Sequence, residues 1–460
     1  MLPPPIPTPI PTEERATAPC PHFGPCDGCQ FQHLAYSAQL ALKAEQLRAS
    51  LASAGLTTPD LQVHASPPFG YRNRIRLTLG EVDGQLRAGY LRRADRPKSG
   101  CPTSGFSDVG SAATDDPASL SDSSGLSFLP ITQCPIAAPI LWRTTEALLK
   151  LINSEPTLWL RDPQFRLDQL ELFTSADESA IQLTLYLRTA SKTVPNKLAI
   201  AFTALCDGLR ARIPELSGAG ISLLPSLSPQ RSRRTEQPRP GPAWGSPGIT
   251  YTIPTKDESV TLTLNEVKGR NPRILPSQEL ATNNQQLTTS YWVPRGAFFQ
   301  INRFLLRELL ALATSNRSGA LAWDLYAGVG LFSRALAASF TQVTAVEIAE
   351  PAATALASIK LPNLRAVKAA TFDFLRSAII ERDRPDLIVL DPPRTGADSE
   401  VCSLLARIAA PTLIFVSCSP ETLSADLATL TASGYRIAEL HLFDLFPQTT
   451  HIETVAVPTR

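Results

Sequence analysis

From about Arg303 to the C-terminus, patterns typical of strands and helices alternate regularly. Short apolar runs predict strands at Leu321–Tyr326, Gln342–Glu347, Pro385–Leu390 and Thr412–Ser417. Apolar strands separated by helices predict an α/β fold with a doubly wound, mostly parallel sheet. Ligands of such folds bind at the carboxyl ends of the strands, so functional residues are expected there.

The preceding residues follow a different pattern, in which a predicted helix at Tyr36–Ala54 is followed by strand-like runs at Tyr71–Gly80 and Gln85–Arg93. This pattern predicts a central α+β domain. Ser-, Gly- and Pro-rich stretches predict two loose insertions, near 96–127 and 225–248. The expected organisation is a disordered lead at 1–19, a cysteine segment at 20–54, the central domain at 55–299 and the C-terminal domain at 300–460.

At 460 residues, the chain is long enough for two or three domains with cores of their own. Its formal net charge is +1, so any nucleic-acid binding depends on local basic patches. No run of about 18 apolar residues is present, and the Pro-rich start has neither the basic nor the apolar region of a signal peptide. We therefore expect a cytoplasmic protein with no membrane partner, whose cysteines serve metal binding or catalysis before disulfides.

A glycine turn follows the first strand of the C-terminal domain, in D-L-Y-A-G-V-G-L-F (Asp324–Phe332). Such a turn lets the backbone approach a ligand closely, although many are only tight turns. The next strand ends at Glu347, which is placed either to bind a ribose diol or to be a solvated carboxylate. Ser333 replaces the third glycine of the dinucleotide fingerprint, so S-adenosylmethionine fits better than NAD.

Two later strand ends carry reactive side chains. The two prolines of D-P-P-R make this turn rigid, so it directs Asp391 into the cleft expected at the carboxyl ends of the strands. In V-S-C-S-P, Cys418 is a candidate nucleophile, with a buried structural cysteine as the alternative. Methyltransferases that act on base amino groups usually carry an aromatic residue where this chain has Arg394.

Three further polar residues are candidates for the same cleft. Near the C-terminus, H-I-E places Glu453 as a candidate general base, and an edge-strand surface carboxylate is the alternative. Gln300 and Asn302, in F-F-Q-I-N, approach the cleft from the expected domain junction. Polar residues at such a junction are more often linker contacts than ligands.

Three cysteines lie close together near the start of the chain, in C-P-H-F-G-P-C-D-G-C-Q. Thiolates at this spacing, separated by Gly and Pro, suit a metal centre better than disulfides. Cys20, Cys26 and Cys29 supply three ligands, so a fourth must come from another segment.

In combination, these motifs resemble the class I S-adenosylmethionine-dependent RNA uracil carbon-5 methyltransferases. The matching segments, in the family's order across residues 298–455, are F-F-Q-I-N, D-L-Y-A-G-V-G-L-F, V-E, D-P-P-R-T-G, V-S-C-S-P-E-T-L-S-A-D-L and F-P-Q-T-T-H-I-E-T-V. The cysteine run and Y-R-N-R-I-R extend the resemblance to the iron–sulfur-containing branch that acts on 23S rRNA. The resemblance implies a Rossmann-like methyltransferase domain.

The resemblance also implies roles for individual residues. Cys418 would add to carbon 6 of uracil, so that carbon 5 can attack the methyl group of S-adenosylmethionine. Glu453 would then remove the carbon 5 proton. The residues implied to hold the uracil edge or the cofactor are Gln300, Asp391, Tyr326, Glu347, Asp373 and, more weakly, Leu331.

Family members with a cluster take its fourth ligand from a later Cys-Pro, for which Cys101 and Cys134 compete. Cys134 is the better candidate, because Cys101 lies in a low-complexity insertion and would lose more entropy on binding. The family's cluster is a 4Fe–4S centre, although zinc suits four thiolates equally well on chemistry alone.

Only 19 residues precede Cys20, so we expect the chain to lack the N-terminal β-barrel RNA-binding module of many relatives. RNA binding would then fall to the central domain. The candidate phosphate contacts are Arg72, Arg74, Arg76, Arg92 and Arg93. For each of these arginines, a position on a solvated strand face without RNA contact is an equally good interpretation.

The sequence therefore predicts a monomeric enzyme that methylates carbon 5 of a uridine in RNA. The cluster favours ribosomal RNA, since the tRNA-specific bacterial branch lacks one. The alternatives are a tRNA uridine methyltransferase, a non-catalytic RNA-binding paralogue and an amino-directed base methyltransferase. The pair Cys418 and Glu453 argues against the last two.

Overall fold

The computed structural model describes residues 15–93, 126–154, 165–191, 193–225, 238–253, 273–274 and 289–460. Within these ranges the chain forms two compact units. The first, here called the nine-stranded unit, consists of the described parts of Tyr36–Tyr71 and Gly248–Arg460. The second, here called the cysteine unit, consists of the described parts of Pro5–Ala35 and Arg72–Pro247.

The helices and strands are numbered along the whole chain. The helices are α1 (Tyr36–Ser53), α2 (Pro139–Ser154), α3 (Asn196–Arg210), α4 (Leu306–Thr314), α5 (Leu331–Leu336), α6 (Ala352–Ala357), α7 (Thr371–Glu381), α8 (Ser399–Ile408) and α9 (Pro420–Ala432). The strands are β1 (Leu61–His64), β2 (Arg74–Val82), β3 (Gln85–Arg93), β4 (Leu126–Pro130), β5 (Arg166–Thr174), β6 (Ile181–Thr189), β7 (Leu216–Pro225), β8 (Arg239–Gly245), β9 (Gly248–Thr252), β10 (Arg273–Ile274), β11 (Ser290–Pro294), β12 (Gly319–Leu325), β13 (Phe340–Glu347), β14 (Leu364–Lys368), β15 (Leu387–Leu390), β16 (Thr412–Ser417), β17 (Arg436–Phe443) and β18 (Glu453–Thr459).

The nine-stranded unit is built around a sheet of order β10-β1-β17-β18-β16-β15-β12-β13-β14. Its described pairings are parallel except for those of β18, which runs antiparallel to both β16 and β17. The central strands are apolar because both faces are covered, and all four residues of β15 are buried. This architecture confirms the predicted doubly wound, mostly parallel sheet.

The N-terminal residues of the nine-stranded unit are an unexpected part of its sheet. Strand β1 pairs in parallel with β17, with His64 opposite Phe443. Helix α1 packs against α9, and its Leu47 and Leu51 belong to the core of this unit. The observed units therefore do not follow the expected boundaries at residues 54 and 299, because α1 and β1 complete a sheet whose other strands come much later.

The cysteine unit contains a sheet of order β4-β3-β2-β5-β6-β7-β8, on which α2 and α3 pack. Its described pairings are antiparallel except for β6 with β7, as expected of an α+β domain. The prediction of a loose stretch at 225–248 is wrong at Arg239–Gly245, because β8 pairs there with β7. The predicted insertion at 96–127 and the lead at 1–19 lie largely outside the described residues. Their described ends are ordered: β4 begins at Leu126, and Arg15 bridges to Leu34.

Among the described helices, none combines the length and apolar character that crossing a membrane requires.

Candidate active site

The glycine turn between β12 and α5 has the geometry of a ligand-approach loop. Tyr326, Gly328 and Gly330 all have positive φ, at 60°, 57° and 87°. The φ of Gly330 is one that residues with a Cβ rarely adopt, so a substitution there would strain the backbone. A Cβ at Gly328 would meet nothing within 4 Å, which leaves space beside that peptide.

Glu347, at the end of β13, joins this turn to the following loop. Its Oε2 accepts a hydrogen bond from the N–H of Gly328 at 2.9 Å. Its Oε1 accepts from the N–H groups of Ile348 and Ala349, at 2.8 and 2.6 Å. The carboxylate therefore lies beside the glycine turn at the carboxyl ends of neighbouring strands, as the sequence predicted.

Asp324 lies beneath the same turn and is fully buried. It accepts a hydrogen bond from the hydroxyl of Ser333. Burial raises the pKa of Asp324 to about 7, an effect that the Ser333 hydrogen bond opposes. The residue that replaces the third fingerprint glycine thus has a structural role, since it fixes the first turn of α5 to β12.

The turn after β15 holds Asp391 against Gln300. Nε2 of Gln300 donates to Oδ2 of Asp391 at 3.1 Å. Burial raises the pKa of Asp391 to about 7, although the hydrogen bond from Gln300 stabilises the ionised form. Gln300 is therefore more than a linker residue, because its amide orients the carboxylate of the D-P-P-R turn.

Cys418 and Glu453 are brought together by the pairing of β16 with β18. Ser417 lies opposite Thr454 in this antiparallel pair, so the next positions, Cys418 and Glu453, meet where the pair ends. Glu453 is only 3% exposed, whereas Cys418 is half-buried. The alternative interpretation of Glu453 as a surface carboxylate on an edge strand is therefore wrong, since β18 lies between two other strands.

The acidic groups of this cleft disfavour one another's ionisation. Burial and then the charges of Glu453 and Asp391 raise the pKa of Cys418 to about 11, although Arg394 opposes the rise. The pKa of Glu453 is raised well above its usual range by burial and then by Asp391, and again Arg394 opposes the rise. These electrostatic interactions place Cys418, Glu453, Asp391 and Arg394 around one cleft.

The remaining predicted cofactor contacts differ in their surroundings. Tyr326 is half-buried, and burial raises its pKa to about 12, against a hydrogen bond with Thr371. Asp373 is exposed in the first turn of α7, beyond the carboxyl end of β14. The side chain of Leu331 is 7% exposed and belongs to the core, while its carbonyl accepts a hydrogen bond from the Tyr291 hydroxyl at 2.9 Å.

The four predicted cluster ligands lie in one region of the cysteine unit. The thiol of Cys29 interacts electrostatically with those of Cys20, Cys26 and Cys134, and burial raises its pKa to about 12. Burial is also the largest cause of the raised pKa values of Cys26 and Cys134. In the part of the chain that the structure describes, however, no group of three or more such side chains is arranged to hold a metal ion.

A hydrogen bond joins the two segments that carry these cysteines. The N–H of Thr132 donates to Nε2 of His22 at 2.8 Å, so the turn before Cys26 is fixed to the segment that leads to Cys134. Burial lowers the pKa of His22, which favours the neutral ring that this bond requires. Cys101, the competing candidate, lies outside the described residues.

The predicted phosphate contacts are largely engaged within the cysteine unit. Arg74 forms an ion pair with Glu171 at 3.2 Å and lies over the ring of Phe173. Arg76 is exposed but stacks on Tyr186, with its guanidinium 4.0 Å from the ring centroid. Arg72 interacts electrostatically with Cys134, and Arg92 donates a hydrogen bond to Ser127. The side chain of Arg93 lies outside the described residues.

Sequence reasoning missed two contributions to the site. The first is Arg394, whose charge favours ionisation of both Cys418 and Glu453. The second is the group of polar residues on α1 that holds the segment before Glu453. Its signal was available, because Lys43 falls among the apolar positions of α1 that face the core.

The doubly wound sheet, with its glycine turn and its acidic strand end, defines the class: a Rossmann-like methyltransferase. A solved structure shares this fold, that of the Pyrococcus abyssi tRNA (uracil-54, C5)-methyltransferase in complex with S-adenosyl-L-homocysteine. The TM-score is 0.60 at 20% sequence identity, and the match covers 94% of this chain and 86% of that one. Residues 275–459 match the model of the tRNA (uracil-5-)-methyltransferase family.

Sequence similarity to other proteins extends over nearly the whole chain. The 23S rRNA (uracil(1939)-C(5))-methyltransferase RlmD of Shewanella denitrificans is 28% identical, over 96% of this chain and 83% of that protein. An uncharacterized RNA methyltransferase of Thermosynechococcus vestitus is 25% identical, over 98% of this chain and 85% of that protein.

Proposed function

We propose that this chain transfers a methyl group from S-adenosylmethionine to carbon 5 of a uridine in 23S rRNA, through a covalent adduct with Cys418. The observation that carries the proposal is the meeting of Cys418 and Glu453 at the end of the β16–β18 pair, within the electrostatic reach of Asp391 and Arg394. A nucleophile beside a buried carboxyl group suits addition followed by proton removal.

The proposed steps use this chain's residues as follows. The Cys418 thiolate forms a bond to carbon 6 of uracil, and the displaced electron pair makes carbon 5 nucleophilic. When bound, S-adenosylmethionine supplies the methyl group that carbon 5 attacks. Glu453 then takes the carbon 5 proton, the bond from carbon 6 to sulfur breaks, and the Cys418 thiolate leaves. The turn of Gly328 and the carboxylate of Glu347 are proposed to hold the cofactor, together with the residues named at the neighbouring strand ends.

Substitution of the nucleophile tests the covalent step. Cys418→Ala should abolish methylation and leave S-adenosylmethionine binding intact, since the substitution lies outside the glycine turn. Cys206→Ala is the control for loss of a cysteine away from the site, because Cys206 belongs to α3 of the cysteine unit. Full activity of Cys418→Ala would refute the nucleophile assignment.

Substitution of the base should instead trap the adduct. In Glu453→Gln, addition and methyl transfer proceed but proton removal stalls, so an enzyme–RNA adduct should survive on a denaturing gel. Glu439→Gln is the control, because Glu439 is a half-buried carboxylate on β17 that pairs with His441. Absence of an adduct in Glu453→Gln, together with normal turnover, would contradict the assigned role.

The choice of 23S rRNA is supported by the similarity to the rRNA enzyme of Shewanella denitrificans over nearly the whole chain. The solved structure with this fold is of an enzyme named for tRNA, so tRNA is the second candidate substrate. Purified enzyme should be assayed on both RNAs with labelled S-adenosylmethionine. Product on tRNA alone would overturn the choice.

We also propose that Cys20, Cys26, Cys29 and Cys134 hold a 4Fe–4S cluster. The proposal is supported by the four mutually interacting thiols and by the bond from Thr132 to His22 that joins their segments. Anaerobically purified protein should contain iron and sulfide, and colourless protein with stoichiometric zinc would refute the assignment.

A further inference from the structure

The segment 444–452, here called the 444–452 loop, connects β17 to β18 and leads directly into Glu453. Its conformation is not one that the chain adopts freely. Gln448 has a φ of 69°, in the left-handed region that costs a non-glycine residue about 1–2 kcal/mol. Such a conformation persists only where surrounding contacts impose it.

The first of these contacts is a buried ion pair. Nζ of Lys43, on α1, donates to Oδ1 of Asp444 at 2.6 Å, and neither side chain is exposed. The same Nζ donates to the carbonyl of Phe446 at 3.0 Å. One ammonium group therefore fixes the first residue of the loop and the peptide two residues later.

The second contact is a reciprocal pair of hydrogen bonds one helical turn away. Gln39 precedes Lys43 by four residues, so both side chains lie on one face of α1. Oε1 of Gln39 accepts from the N–H of Gln448 at 3.0 Å, and its Nε2 donates to Oε1 of Gln448 at 3.1 Å. Gln39 therefore binds both the backbone and the side chain of Gln448, the residue with the positive φ.

Two further buried side chains hold the peptides between these points. The hydroxyl of Tyr71 donates to the carbonyl of Pro447 at 3.0 Å. Nδ2 of Asn302 donates to the carbonyl of Leu445 at 3.2 Å. Polar side chains from elsewhere in the unit thus hold each residue from Asp444 to Gln448.

Stability alone does not require this arrangement. Burying two charges carries a desolvation penalty, and apolar residues of similar volume often replace a buried ion pair with no loss of stability. An ion pair and directed hydrogen bonds differ from an apolar contact in fixing where the backbone lies. The residues held here lie shortly before Glu453, which begins β18 and must face the carbon 5 proton.

We infer that Lys43 and Gln39 are positioning residues for the general base: by anchoring the 444–452 loop, they set the carboxylate of Glu453 opposite Cys418. The inference rests on the proposed function, since it assigns these residues to the proton-removal step. A loop that is held less firmly should slow that step while addition and methyl transfer continue.

The test is the double variant Lys43→Met/Asp444→Leu, which replaces the ion pair with an apolar pair and leaves no unpaired charge. The expected result is a fall in kcat of about tenfold to a hundredfold, the loss that a misplaced catalytic group causes. Because methyl transfer is irreversible and precedes the slowed step, kcat/KM should change by less than about threefold, so the KM for RNA should fall together with kcat. A covalent enzyme–RNA adduct should accumulate on a denaturing gel, which a merely structural role would not produce.

Leu430→Ala is the matched control for lost stability. Leu430 is fully buried near the C-terminal end of α9, whereas Cys418 lies just before the N-terminal end of that helix, and truncation of Leu430 should cost about 2–5 kcal/mol. It should lower the melting temperature without accumulating adduct. If the double variant does not fold, Gln39→Ala is tested in the same way.

The outcomes separate the two proposals. A folded double variant, or Gln39→Ala, that turns over at the wild-type rate without adduct overturns the positioning role. Equal adduct in Leu430→Ala also overturns it, because general destabilisation would then explain the result. If Glu453→Gln gives no adduct and turns over normally, the assigned role of Glu453 in the proposed function fails instead.

Discussion

The ionisation of Cys418 can be tested quantitatively without RNA. Burial and the neighbouring carboxylates raise the pKa of this thiol to about 11, and only the thiolate is nucleophilic. At pH 7, the thiolate fraction is then about one in ten thousand, and at pH 9 about one in a hundred. Alkylation of Cys418 should therefore accelerate about tenfold per pH unit between pH 7 and pH 9, without reaching a plateau.

Removing the nearby cation should slow the same reaction. The charge of Arg394 lowers the pKa of Cys418, but Arg394 is exposed, so solvent screens part of its effect. In Arg394→Gln, we expect the pKa of Cys418 to rise by less than about one pH unit, which slows alkylation about threefold to tenfold at each pH. Arg394→Lys keeps the charge and should lie closer to the wild type.

The assay is alkylation by iodoacetamide at a series of pH values, with the Cys418 peptide quantified by mass spectrometry. Glutathione, treated in parallel, gives the profile of an ordinary thiol. A plateau at or below pH 9 for Cys418 would refute the raised pKa. Faster alkylation in Arg394→Gln would refute the electrostatic role of Arg394.

Three further predictions concern stability and the metal centre. Because the pKa of buried Asp324 is raised to about 7, its protonation stabilises the fold. As the pH rises from 5 to 8, the wild type should therefore lose about 3 kcal/mol more stability to urea than Asp324→Asn, in which only the contributions of Asp391 and Glu453 remain. A pH-independent stability in the wild type would contradict this. Cys134→Ser should lose iron and sulfide while Cys101→Ser retains both, and the reverse result in elemental analysis would exchange the two assignments. Asp426 accepts a hydrogen bond from the N–H of Ala397 at 2.8 Å. Asp426→Ala should therefore lower the free energy of unfolding in denaturant by about 1–3 kcal/mol. An unchanged denaturation midpoint would show that this bond does not stabilise the segment around Ala397.

Local sequence patterns were sufficient for the elements that carry most of the site. The prediction for Thr412–Ser417 matches β16 residue for residue, and the glycine turn falls between β12 and α5 as expected. These elements are apolar runs of ordinary length, flanked by turn residues, so their structure follows from contacts that are close in sequence. The strand ends that they define hold Glu347, Asp391 and Cys418.

The positions of β1 and β18 could not be obtained in this way. Strand β1 has only four residues, and its partner β17 begins at Arg436, hundreds of residues later. Nothing in a local pattern specifies such a pairing, because it depends on which sheet edge is free once the other strands have assembled. The burial of Glu453 has the same origin, since it follows from the place of β18 between β16 and β17.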